Sequence, residues 1–187
     1  MAQKRKDWNG LISGFKASDL VFLDESGCNT DMTRRYAYSF GGSRAVDSAP
    51  LSKPKNTTIL SSIQLNGTLH YTTFSGGTTV ERFKRYLETD LLPHLNGNSV
   101  LVMDNMKSHH AKAVKNLLDS SGVRYIYLPP YSPDLNPIEK LWSKVKAFLR
   151  KFKARTLDAL PNAIQNAFHS VTVSDCSGWF RFCGYAL

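Results

Sequence analysis

The chain has 187 residues, of which 42% are hydrophobic and 11% aromatic, and 24 Lys and Arg against 15 Asp and Glu give it a net charge of +9. This length and composition predict one globular domain and exclude a mainly disordered chain. The positive balance favours a polyanionic partner. No apolar stretch approaches the roughly 18 residues of a membrane span. The three cysteines form no CxxC pair and no metal-ligand spacing, so we expect reduced, cytosolic thiols.

The first 19 residues contain the basic run Lys4-Arg5-Lys6 without the apolar run of a signal peptide. We therefore predict a basic N-terminal tail or linker over residues 1–19 and one domain over residues 20–187. Such a tail could touch DNA, but a solvated tail is the favoured interpretation.

Short apolar runs dominate the first half of the chain and predict strands. These lie at about residues 20–25, 35–40, 57–65 and 68–74. Asn66-Gly67 predicts a tight hairpin between the last two. Residues 41–55 resemble a loop, and Thr78 or Thr79 is placed to cap a helix that follows.

The second half of the chain alternates between strand and helix patterns. Strands are predicted at about 99–103 and 124–128, and helices at about 109–120, 137–152 and 156–169, before a short aromatic tail. Hairpins followed by strand–helix units predict a mixed sheet flanked by helices.

Two aspartates end apolar runs: Asp24 follows residues 20–23 and Asp104 follows residues 99–103. An acid at the carboxyl end of a buried strand faces the cleft in which open α/β sheets bind ligands, although each could simply stabilise a turn. Glu139 follows Asp104 after 34 intervening residues, in the first turn of the predicted helix. We expect it at the edge of the apolar stripe, directed at the sheet. Three such carboxylates predict a divalent metal site suited to phosphodiester chemistry.

Six further side chains are candidate DNA contacts because they lie near these acids in the sequence. They are His109, His110, Lys140, Lys144, Lys146 and Arg150. For the histidines, the alternative is a helix-start pair with one packed and one exposed ring. For the basic residues, the alternative is an ordinary solvated helix face.

Three sequence blocks resemble the DDE transposases of the mariner-like superfamily, in particular the bacterial insertion-sequence branch. The blocks are VFLDES (21–26), LVMDN (101–105) with His109 following, and LPPYSPDLNPIE (128–139) with Trp142 following. The last block is the most specific, and the resemblance spans roughly residues 20–152.

The resemblance implies a ribonuclease-H-like fold, an α/β mixed five-stranded sheet flanked by helices. It implies that Asp24, Asp104 and Glu139 bind two Mg²⁺ ions, for which Mn²⁺ can substitute. Such enzymes cut double-stranded DNA at transposon ends and join the freed 3′-hydroxyl to target DNA. A cytoplasmic, nucleoid-associated bacterial protein is expected, with a homodimer on DNA as the working assumption.

Members of this family usually carry helix-turn-helix domains before the catalytic domain, and about twenty residues are too few for one. We therefore expect such a domain to be missing or supplied by a separate protein. The alternative function is a catalytically inactive DNA-binding remnant, and a third is a nuclease acting on RNA–DNA hybrids.

Overall fold

The computed structural model describes residues 2–34, 36–48, 50 and 54–186. Its five strands are β1 (Leu20–Cys28), β2 (Thr57–Gln64), β3 (Leu69–Ser75), β4 (Val100–Met103) and β5 (Arg124–Tyr127). They form one sheet in the order β3-β2-β1-β4-β5. β1 pairs antiparallel with β2, and β2 pairs antiparallel with β3. β1 pairs with β4, and β4 with β5, in parallel. The predicted mixed five-stranded sheet is therefore confirmed.

In the described part of the chain, six α-helices accompany the sheet. They are α1 (Ala2–Ile12), α2 (Val80–Tyr86, continued by a π-helical turn over Leu87–Leu91), α3 (Lys112–Ser121), α4 (Ile138–Phe152), α5 (Ala159–His169) and α6 (Val173–Phe182). Alternate residues of the central strands enter two cores. Leu20 and Phe22 pack with α4, α5 and α6, whereas Val21 and Leu23 pack with α2 and α3. Helices therefore cover both faces of the sheet.

The strand predicted at 35–40 is wrong over its described residues. Residues 36–39 have no regular structure, and a 3-10 turn follows at Phe40–Gly42; residue 35 lies outside the described residues. The alternating aromatic side chains of this segment suggested a half-buried strand, but Tyr36, Tyr38 and Phe40 are all at least 90% exposed. Alternation predicts a strand only where one face is buried.

Both ends of the chain are helical where a tail was predicted. Residues 2–12 form α1, whose Trp8 is buried in the core beside α4 and α6. At the other end, α6 begins with a capping box between Thr172 and Asp175 and buries Phe180. Among the described residues, no helix combines the length and apolar character needed to cross a bilayer.

Candidate active site

Asp24 and Asp104 lie side by side because of the register of two parallel strands. Leu23 pairs with Met103 in the β1–β4 ladder, so Asp24 and Asp104 are the residues that follow this last pair. Neighbouring strands are about 4.8 Å apart. The strand β4 ends at Met103, whereas β1 continues past Asp24 to Cys28. The carboxylates thus meet where β4 stops and a cavity can open.

Glu139 reaches the same cavity from the first turn of α4. The cavity has a volume of about 460 Å³ and is lined by Asp24, Asp104 and Glu139, together with the loop of residues 128–136. Glu139 itself is exposed, whereas the sequence predicted a side chain at the edge of the apolar stripe, directed at the sheet. The difference arises because Ile138, Leu141 and Trp142 fill the contact with the core.

Asp24 lies in a poor environment for a negative charge. It is only 9% exposed, and burial, reinforced by the charges of Asp104 and Glu139, raises its pKa to about 7. The Glu25 backbone N–H, and a hydrogen bond of 3.0 Å that Trp142 Nε1 donates to Asp24 Oδ2, partly offset the burial. The ionised carboxylate would gain from a cation in the cavity.

Asp104 has the opposite environment. Burial opposes its ionisation, but hydrogen bonds from His109 and from the Met106 backbone N–H hold its pKa below the usual value. The His109 Nδ1 to Asp104 Oδ1 distance is 2.8 Å, and Met106 N donates to the same oxygen at 2.9 Å. Asp104 is therefore ionised at neutral pH.

His109 links Asp104 to Glu25. Its ring is fully buried, stacks on Phe83, and has Nε2 at 3.3 Å from Glu25 Oε2. Burial alone would lower the pKa of His109, but the carboxylates of Asp104 and Glu25 outweigh it and raise the pKa to about 9. The other Glu25 oxygen, Oε1, is buried without a hydrogen-bond partner in the described part of the chain.

The three carboxylates line the cavity without forming a closed set of ligands. Within residues 2–34, 36–48, 50 and 54–186, no cluster of three or more His, Cys, Asp or Glu side chains is arranged to hold a metal ion. The acids share a cavity and a charge environment, and Glu139 is the member with the least contact to the protein.

The six candidate DNA contacts have different surroundings. His109 is buried, so direct contact with DNA is inconsistent with its position; its packed ring matches the alternative interpretation. His110 is exposed and stacks on Tyr127. The remaining four lie on α4: Lys140 covers the Phe182 ring, Lys144 pairs with Asp175 at 2.6 Å, and Lys146 and Arg150 line a second cavity beyond the end of β1.

Two residues at the site were missed as functional candidates. Trp142 is a core residue, but its indole N–H also reaches Asp24. Glu25 lies inside β1 and holds His109. A signal for Trp142 was present in the sequence: it lies one helical turn after a candidate ligand, and a buried tryptophan needs a hydrogen-bond partner for its N–H.

Comparison with known proteins gives a family and several relatives. Residues 19–161 match the family described as DDE superfamily endonuclease. The chain is 29% identical over 97 residues to the transposable element Tc1 transposase of Caenorhabditis elegans, covering 50% of this chain and 36% of that protein. It is 31% identical over 75 residues to the Tcb2 transposase of Caenorhabditis briggsae, covering 40% of this chain and 28% of that protein. The chain thus spans about a third of these relatives.

Solved structures of the Mos1 transposase have the same fold. The paired-end complex of Mos1 with the left transposon end superposes with a TM-score of 0.80 at 18% identity, over 95% of this chain and 57% of that chain. The Mos1 paired-end complex with Mn has the same TM-score at 20% identity, over 95% and 57%. The isolated Mos1 catalytic domain gives 0.67 at 16% identity, over 96% and 85%. The similarity establishes the ribonuclease-H-like fold.

Proposed function

This chain belongs to the DDE superfamily endonucleases, and on that basis we propose that it is the catalytic domain of a DNA transposase that cuts DNA and transfers the freed strand. Asp24, Asp104 and Glu139 are the proposed catalytic carboxylates. The carrying observation is that all three line one cavity, where burial, reinforced by the charges of the other two, raises the pKa of Asp24.

Divalent cations are the proposed cofactors, Mg²⁺ with Mn²⁺ as a substitute. The residues fit such ions chemically, because carboxylate oxygens are the ligands that Mg²⁺ prefers and a cation would relieve the repulsion around Asp24. When bound, such ions lower the pKa of an attacking oxygen and stabilise the leaving oxygen of a phosphodiester. The Mos1 structures include paired-end complexes with Mn and with Mg, which supports this choice.

Each carboxylate has its own part in this proposal. Asp104 is held by His109 and stays ionised, so it is the fixed ligand. Asp24 must release its proton before it can bind a cation, and Trp142 orients it while it does so. Glu139, exposed on the first turn of α4, would complete the set by moving towards the two aspartates.

Double-stranded DNA is the proposed substrate, both as transposon ends and as target. The net charge of +9 supports a polyanionic partner. Lys146 and Arg150 are the stronger candidates for phosphate contacts, since Lys140 and Lys144 each have a partner on α6. A homodimer on DNA, end recognition by a helix-turn-helix part or separate protein, and a place at a bacterial nucleoid remain predictions.

The test is nicking of supercoiled plasmid DNA with Mn²⁺ or Mg²⁺. The wild-type chain should nick the plasmid, and Asp104→Ala should lower the rate below detection, because the fixed ligand is lost. Asp119→Ala is the matched control, since this exposed acid on α3 lies away from the cavity. Undiminished nicking by Asp104→Ala would contradict the proposal. Salt-sensitive DNA binding without nicking in any metal would instead favour a DNA-binding remnant.

A further inference from the structure

Tyr131 combines an exposed side chain with a strained backbone at the wall of the acid cavity. Its side chain is 88% exposed and its φ is 55°, in the left-handed region that disfavours residues with a Cβ atom. Among the described non-glycine residues, Lys153 also has a positive φ. Lys153 ends α4, where a left-handed residue commonly stops a helix. Tyr131 ends no helix, so its conformation needs another reason.

The loop around Tyr131 is anchored on both sides. Before it, the Asn105 side chain donates a hydrogen bond of 2.6 Å to the Leu128 carbonyl oxygen. After it, Ser132 is buried and accepts a hydrogen bond of 3.4 Å from Arg5 of α1. Three prolines restrict the same loop: Pro129, Pro130 and Pro133. The ring is therefore exposed on a constrained backbone, not on a freely moving tip.

Tyr131 is also set apart by its position. Of the large aromatic side chains that are exposed in the described part of the chain, it alone lines the cavity of the three carboxylates. The others are Tyr36, Tyr38, Phe40, Phe152 and Phe182. An exposed tyrosine ring is a surface on which any nucleobase can stack. A base inside a duplex is already stacked on both sides, so only a base that has left the stack can use it.

We propose that Tyr131 stacks on an unpaired nucleobase next to the phosphate that enters the acid cavity. The proposal rests on the proposed function, because it takes DNA as the occupant of the cavity. Tyr131 is a positioning residue in this scheme: it holds the neighbouring base and thereby fixes the phosphate relative to Asp24, Asp104 and Glu139. The left-handed backbone is explained as the conformation that presents the ring on the cavity wall.

The first test measures binding to two short DNA duplexes by fluorescence anisotropy. One duplex contains a single unpaired thymine, and the other has an abasic site at the same position. The wild-type chain should bind the thymine duplex about tenfold more tightly. Tyr131→Phe should keep this preference and Tyr131→Ala should lose it. Tyr38→Ala, which removes an equally exposed tyrosine outside the cavity, should keep it.

The variant Tyr131→Gly separates positioning from a structural role. Glycine adopts a positive φ without strain. The melting temperature of Tyr131→Gly should therefore equal or exceed that of the wild-type chain, while the thymine preference is lost. If Tyr131 had only a structural role, Tyr131→Gly would have a lower melting temperature than the wild-type chain.

The proposal would be overturned by a thymine preference that survives in Tyr131→Ala, or by the absence of this preference in a wild-type chain that binds DNA. A change in oligomeric state of Tyr131→Ala without DNA would also overturn it and assign the ring to a second copy of the chain. Plasmid nicking is scored separately. Nicking without thymine preference rejects the role of Tyr131 alone, whereas preference without nicking in any metal rejects the proposed function.

Discussion

Asp24 and Asp104 are the same residue type at the same level of two neighbouring strands, yet their surroundings act on them in opposite directions. On the Asp24 side, burial and the charges of two other acids raise its pKa to about 7. On the Asp104 side, His109 and a backbone N–H outweigh burial and lower its pKa. The register of β1 and β4 places the two aspartates side by side, but the residues packed around each aspartate determine whether its carboxylate is ionised.

This difference separates two tasks within one carboxylate pair. Asp104 is anchored and ionised before any ligand arrives. Asp24 is held by neutral donors, the Glu25 backbone N–H and the Trp142 indole N–H, and at neutral pH it is divided between protonated and ionised forms. A cation entering the cavity would therefore meet one prepared ligand and one that must lose a proton.

The strongest test of this comparison replaces each aspartate by asparagine. Both Asp24→Asn and Asp104→Asn should lose plasmid nicking to below detection, but their effects on stability should have opposite signs at pH 8. Asp24→Asn removes a disfavoured charge and keeps an acceptor for Trp142. At 1.4 kcal/mol per pKa unit, it should raise the free energy of unfolding by up to roughly 4 kcal/mol. Asp104→Asn should lower it.

Urea unfolding with EDTA at pH 8 and pH 5 measures these effects. Because the folded-state pKa of Asp24 is raised from 3.8 to about 7, its contribution to stability is greatest at low pH and is lost as pH rises from about 4 to about 7. The advantage of Asp24→Asn should therefore shrink at pH 5. If both substitutions changed stability in the same direction at pH 8, the electrostatic contrast would be wrong.

Much of this pair was predictable from sequence, because two apolar runs that each end in an acid predict neighbouring strands. The block at residues 128–139 likewise predicted the helix that carries Glu139. What could not be predicted depends on tertiary packing. The buried position of Trp8 turns a basic tail into α1, and exposure of Tyr36 and Tyr38 removes a strand that alternation had suggested. Local sequence patterns do not show which face of a predicted element packs against the rest of the protein.

Replacement of His109, which hydrogen-bonds to Asp104, is expected to have the next largest effect on stability. His109→Ala would leave the carboxylates of Asp104 and Glu25 facing each other without the cation between them. Removing one partner of a buried ion pair costs about 3–5 kcal/mol, so a loss of this size is expected in urea unfolding at pH 6. His110→Ala is the matched control, because the neighbouring ring is exposed and should cost less than about 1 kcal/mol.

The pH dependence gives a second check on His109. Its folded-state pKa is raised from 6.5 to about 9, so its stabilisation is complete below about 6.5 and is lost as pH rises towards 9. The difference between wild type and His109→Ala should therefore be smaller at pH 9.5 than at pH 6. A constant difference would mean that the ring acts by packing on Phe83 and not by its charge.

The smallest predicted effect concerns Trp142, the side chain whose N–H favours ionised Asp24. Trp142→Phe keeps an aromatic ring in the core but removes the N–H, so the pKa of Asp24 should rise further and protons should compete more strongly with Mn²⁺. Calorimetric titration should give about tenfold weaker Mn²⁺ binding at pH 6. Because protons no longer compete above the higher pKa, this ratio should fall towards one by pH 9. Trp179→Phe on α6 should bind Mn²⁺ like the wild type, and a ratio in Trp142→Phe that stays constant with pH would assign Trp142 to geometry alone.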